Sequence, residues 1–96
     1  MDIIPKLAYA IAMAETHDCT KGMGKTKNNC FGVMTWKRGF REGKTYATKG
    51  ESYADFRRIW TKSYGGTFPT WGDAKKWTGN DNPRTWLNNV TTYYND

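Results

Sequence analysis

Among the acidic residues of this chain, Glu15 has the setting that chemistry needs. It lies one helical turn beyond Ile11, in line with Ile4 and Ala8, so its carboxyl falls at the edge of an apolar stripe. Burial at such an edge raises a carboxyl pKa and keeps the proton in place near neutral pH. That is the state required of a general acid that protonates a glycosidic oxygen. An ordinary solvent-facing Glu near a helix end is the competing reading. Glycoside cleavage usually takes a second carboxylate, about 6.5–9.5 Å away for inversion and about 5–5.5 Å for retention. Glu42, in an expected hairpin, is the candidate to reach across a cleft toward Glu15. It would equally serve as a solvated turn residue paired with Arg41 or Lys44. Glu51, Asp55 and Asp18 are further candidates, although a Glu at a helix start ordinarily answers the helix dipole.

Other side chains fit a groove for sugars. Trp36, Trp71 and Trp77 each lie in or beside an expected loop, where an indole face can stack on a pyranose ring. Tyr46 is a candidate hydrogen-bond donor in the same cleft. Asn29 has two readings: it holds a substrate acetamido group, or it shapes the chain as an Asx turn. Trp60 and Trp86 fall in helical patterns and are expected in the core. Phe31 and Gly32 are read as structural, an aromatic plug and a point of close backbone approach.

The elements that must position these residues follow from periodicity. Apolar residues at Ile4, Leu7, Ala8 and Ile11 predict a helix over residues 3–15, with Pro5 tolerated in its first turn. Gly22, Gly24, Asn28 and Asn29 mark residues 16–29 as a loop. Two short strands are expected at 31–36 and 45–48, joined through Gly39 and Gly43. A second helix is expected over 51–64, with Tyr53, Phe56, Ile59 and Trp60 on one face, ended by Gly65-Gly66. A short helix at 73–77 and a last one from Pro83 to about Tyr94 complete the chain, with Asn82 as the cap of the latter. The expectation is one domain over residues 1–96, mainly α with a small β-hairpin.

A single domain is what 96 residues allow. Five Trp, six Tyr and four Phe, against only eight Ile, Leu and Val together, make the expected core aromatic. The formal charge of +6 attracts polyanions, but the basic residues occur at most in pairs such as Arg57-Arg58, and no nucleic-acid motif accompanies them. No stretch has transmembrane length, so no membrane insertion is expected. Asp2, Lys6 and Pro5 make a poor signal peptide of the N-terminal segment. Export would then need a removed leader, a fusion partner or a phage-style lysis route. Cys19 and Cys30, with His17 and Asp18, are a thin set of zinc ligands. A disulfide closing the loop is the other reading; it would remove about 3 kcal/mol of unfolded-chain freedom and imply an oxidising compartment.

Ala14-Glu15-Thr16, a Gly-containing loop, and then Asn28-Asn29-Cys30-Phe31-Gly32-Val33 together resemble the glucosaminidase branch of the lysozyme-like superfamily. Members of that branch carry a helix ending in Ala-Leu-Glu-Ser or similar, a Gly-rich loop, and Asn-Asn-Leu-Phe-Gly-Ile. Cys30 here stands at the usual Leu. Tyr46-Ala47-Thr48 followed by Glu51-Ser52-Tyr53-Ala54-Asp55-Phe56 looks like the family's strand leading into a Ser-containing helix. Trp77-Thr78-Gly79-Asn80-Asp81-Asn82-Pro83 is similar to its Tyr-Ala-Thr-Asp-Pro segment, with extra residues and Trp77 in place of the Tyr. The resemblance implies a lysozyme-like α+β fold, Glu15 as general acid, and cleavage of the β-1,4 bonds of bacterial cell-wall glycan. It also implies no cofactor and no metal. A monomer acting at the wall, outside the cell or in the periplasm, without a specific nucleic-acid partner, is the expectation. Lytic transglycosylase action on the same strands and a non-catalytic glycan-binding module are the alternatives.

Overall fold

The computed structural model describes residues 2–96. Helix α1 (Ile4–Thr16) is the central element, because Leu7, Ala10, Ile11 and Ala12 are all fully buried. Small alanines on two sides let neighbouring helices approach it closely. Its start is closed by Asp2, whose Oδ1 accepts from the Ile4 N–H at 3.0 Å and whose other oxygen meets Arg57. Helix α5 (Pro83–Asn95) packs along α1 and buries Trp86 and Val90, while α4 (Trp71–Thr78) packs on α5. Helix α3 (Lys49–Ser63) covers another side with Ser52, Phe56 and Trp60 inward. This is a single compact, mainly helical domain carrying a small antiparallel hairpin. No helix among the described residues is long and apolar enough to cross a membrane.

The end of α1 is locked by an unusual turn. The N–H groups of His17 and Asp18 donate back to Met13 and Ala12 at 3.2 and 3.0 Å, a Schellman-type closure. His17, Asp18 and Cys19 all have positive φ (51°, 56° and 69°) without a glycine among them, a conformation that costs each L-residue about 1–2 kcal/mol. Several tethers hold it. Cys19 is bonded to Cys30 by a disulfide, its N–H donates to Thr16 Oγ1 at 2.9 Å, and that hydroxyl donates to the Cys30 carbonyl at 2.8 Å. Asp18 is gripped by Lys49 and by the Tyr53 hydroxyl. The residues expected to be plain loop contain a one-turn helix, α2 (Met23–Lys27). It sits so close to the end of α1 that a Cβ on Gly24 would lie 2.8 Å from Thr16 Cβ, and 2.7 Å from Cys19 Cα in the turn beyond.

The strands differ from the expectation. β1 is Met34–Lys37 and β2 is Phe40–Gly43, with Met34 opposite Gly43 and Trp36 opposite Arg41. Arg38 and Gly39 form the two-residue turn with φ of 52° and 81°, the left-handed pair that a tight hairpin demands. Residues 45–48 are no strand, because the Asn28-Asn29 side chains take over the pairing. Asn28 Nδ2 donates to the carbonyls of Tyr46 and Ala47, and Asn29 Nδ2 to those of Val33 and Lys44. Helix α3 begins at Lys49 rather than Glu51, since Thr48 Oγ1 accepts from the Glu51 N–H. Helix α4 begins at Trp71 because Thr70 and Asp73 make a reciprocal capping box. Asn82 stands at the cap position of α5 but has φ 51° and gives no side-chain cap; its amide donates to Asp81 instead.

Two substitutions probe this framework. Gly24→Ala forces the α1–α2 contact apart and is expected to cost about 1–3 kcal/mol, read as a fall in the urea midpoint. His17→Gly relieves a positive φ on an exposed side chain and is expected to stabilise by about 0.5–1 kcal/mol; a destabilised His17→Gly protein would contradict the strain assignment.

Candidate active site

An aromatic column runs through the core toward Glu15. Phe31 stacks on Phe56 (4.4 Å between centroids), Phe56 on Trp60 (5.6 Å) and Trp60 on Tyr64 (4.4 Å). Trp77 of α4 meets the last three of these rings edge-on at 5.6–5.9 Å. These contacts fix the plane of the indole. Trp77 Nε1 is thereby aimed at Glu15 Oε1, at 3.1 Å, and Trp86 Nε1 of α5 reaches the same oxygen at 2.8 Å. Two donors from two helices meet on one atom.

The consequence is a carboxyl with distinct oxygens. Oε1 accepts both indole N–H groups, while Oε2 takes no protein hydrogen bond among the described residues and lies beside Gly32. A protonated Glu15 carries its hydrogen on Oε2, since an oxygen facing two donors cannot itself donate to them. Gly32, with φ +72°, presents backbone where a Cβ would come within 3.4 Å of Oε2. Glu15 keeps an open face to solvent, yet protein atoms crowd it from the cleft walls. That crowding pushes its pKa above the usual carboxyl value, and the Trp77 and Trp86 donors oppose the rise without cancelling it.

Glu15 lies in a cleft of about 630 Å³, a size suited to several sugar rings. Phe31, Gly32, Val33, Met34 and Arg41 line it from the hairpin side. Ile59 comes from α3 and Tyr64 from its C-terminal cap, Lys76, Trp77 and Thr78 from α4, and Asp81, Asn82, Thr85, Trp86 and Asn89 from the α4–α5 turn and α5. Glu15 and Asp81 are the carboxylates among these lining residues.

Several expected site residues lie elsewhere. Glu42 does not reach toward Glu15: successive strand residues face opposite ways, so with Arg41 on the cleft side Glu42 shares the other face with Thr35. Asn29 is fully buried, and its three polar bonds, two donated and one accepted from the Val33 N–H, leave nothing for an acetamido group. Tyr46 is buried outside the cleft with its hydroxyl donated to Asp55. Asp55, also bound by Lys44 and Arg58, resists the upward push of burial and sits below the ordinary carboxylate range. Trp71 is exposed on α4, flanked by Lys75 and Arg84 rather than by the cleft. Trp36 stands out on the hairpin, on the face shared with Arg41 but beyond the lining residues. Trp77 does line the cleft, holding the carboxyl with its polar edge. Trp86, expected in the core, is 8% exposed and lines the cleft as well. Helical spacing marked it as inward-facing, and nothing in the spacing showed that its N–H edge meets Glu15. Asp81 was hidden in a turn signal, Asp-Asn-Pro. Compared with known proteins, the chain matches no family model, no curated protein and no solved structure.

The raised pKa has a measurable sign. A carboxyl whose folded pKa exceeds its unfolded value adds no penalty below the unfolded pKa. Its penalty grows as pH rises between the two values and is complete above the folded one. Glu15→Gln preserves an Oε1 acceptor for both indoles and removes that penalty. Its melting temperature is therefore expected to match the parent near pH 3 and exceed it at pH 7. A variant less stable at pH 7 than at pH 3, relative to the parent, would contradict the assignment.

Proposed function

We propose that the protein is a glycosidase of bacterial cell-wall glycan, hydrolysing β-1,4 bonds between N-acetyl amino sugars with Glu15 as general acid. The observation that carries this reading is the convergence of two indole donors on one oxygen of a crowded carboxyl in an open cleft. The donors orient the carboxyl and leave Oε2 as the oxygen that carries the proton toward a leaving group, while crowding raises the pKa and so favours the protonated form. The resemblance of Ala14-Glu15-Thr16 and Asn28-Asn29-Cys30-Phe31-Gly32 to the glucosaminidase branch of the lysozyme-like superfamily supports the same substrate.

Asp81 supports hydrolysis over attack by the sugar's own hydroxyl. It lines the cleft from the α4–α5 turn, is exposed to solvent, and is placed to orient water or answer the developing positive charge at the anomeric carbon. The charge of +6 favours encounter with an anionic wall, an advantage that falls as salt rises. The Cys19–Cys30 disulfide fits an extracellular or periplasmic site of action.

The test is release of reducing ends from purified cell walls. Glu15→Gln is expected to lose at least about 100-fold in kcat, and Asp81→Asn at least about tenfold. Products ending in a reducing sugar fit hydrolysis; anhydro ends would move the protein to the transglycosylase class, and undiminished cleavage by Glu15→Gln would end the proposal. Trp77→Phe removes a donor that favours the carboxylate, so Glu15 should stay protonated to higher pH. The alkaline limb of the pH–rate profile then moves upward; an unmoved or lowered limb would show that the indole does not govern this proton.

A further inference from the structure

The cleft holds two cationic side chains, and they differ in one respect. Lys76 is engaged: its Nζ donates to the Ser63 carbonyl at 2.8 Å and lies 4.4 Å over the Tyr64 ring. Arg41 lines the cleft from β2 and has no ion pair, hydrogen bond or aromatic partner among the described residues. A guanidinium presents a rigid fork of donors matched to a carboxylate. Its cross-strand neighbour is Trp36, 72% exposed and on the same face of the hairpin. Paired side chains on one strand face have Cβ atoms about 4.5–5.5 Å apart. The hairpin packs mainly on itself and stands out from the helices, so this face is open to whatever lies along the cleft.

We infer that the Trp36–Arg41 face of the hairpin is a specificity site for a sugar that bears a carboxylate, with Trp36 stacking on the ring and Arg41 taking the acid in a two-pronged contact. The inference rests on the proposed glycosidase reading and narrows its substrate. In wall glycan every second sugar carries a lactyl ether whose acid is free, or amide-linked to a peptide stem that has carboxylates of its own. In a chitooligosaccharide every ring is neutral. A neutral strand can use Trp36 but leaves Arg41 with water alone.

The experiment uses the Glu15→Gln protein, to slow turnover, with and without Arg41→Gln. Three probes are titrated by calorimetry: chitotetraose, a peptide-free tetrasaccharide of alternating wall sugars with free lactyl acids, and the same tetrasaccharide with its peptide stems. The protein with Arg41 is expected to bind at least one acidic probe about tenfold or more tightly than chitotetraose. Arg41→Gln should bring that ratio close to one, and Arg41→Lys should retain part of it. A stronger peptide-free probe assigns the lactyl acid, and a stronger stem-bearing probe assigns the peptide. A ratio near one with Arg41 present, or a ratio that survives Arg41→Gln, overturns the inference; if the parent still releases reducing ends from walls, the glycosidase reading stands without it. Failure of all three probes to bind, with no reducing ends released, removes both.

Discussion

One oxygen atom sets the requirements for the rest of the molecule. Glu15 Oε1 accepts from Trp77 and Trp86, and those donors come from different helices, so three helix axes must hold their places together. The Phe31–Phe56–Trp60–Tyr64 column fixes Trp77, and packing of α5 along α1 fixes Trp86. Such rings are rigid about few torsions, which makes them suitable for aiming an N–H group. The scarcity of aliphatic residues and the wealth of aromatic ones thus serve core and site at once.

The second requirement concerns what faces the other oxygen. Gly32 presents backbone beside Oε2, and its position depends on the segment before it. Asn29 behaves as a buried peptide group, tying Val33 to Lys44. Cys30 is tied to the end of α1 by the disulfide and by Thr16, and Ser52 of α3 donates to its sulfur at 3.1 Å. The run of positive φ from His17 to Cys19 lies immediately after the carboxyl-bearing turn. Backbone strain of this kind persists where surrounding contacts over-determine it. Here those contacts secure the turn next to Glu15.

Long helices were legible in the sequence because their apolar spacing reports directly on burial. Positions that depend on a partner distant in sequence were not. Helices α3 and α4 begin earlier than apolar spacing implies because Thr48 and Thr70 cap them through side-chain bonds. The first strand begins three residues later than expected and the second lies five residues earlier, since Asn28 and Asn29 replace the ladder at 45–48 with side-chain hydrogen bonds that alternation does not encode. Glu15 stood out through its place on the α1 stripe. Trp86 did not, because a tryptophan pattern gives the buried face of the ring and is silent about its N–H edge. Arg41 and Asp81 enter the cleft only through the strand register and the turn between α4 and α5.

The central physical claim is that crowding outweighs two indole donors and holds the Glu15 pKa above the usual carboxyl value. The direct measurement is the pH titration of the Glu15 side-chain carboxyl carbon by NMR in the folded, ligand-free protein. The account predicts a midpoint above that of an unperturbed glutamate, with the Trp77 and Trp86 indole N–H resonances moving at the same pH. A midpoint at or below the ordinary value would mean that the donors prevail, and Glu15 would then be a carboxylate with no proton to give.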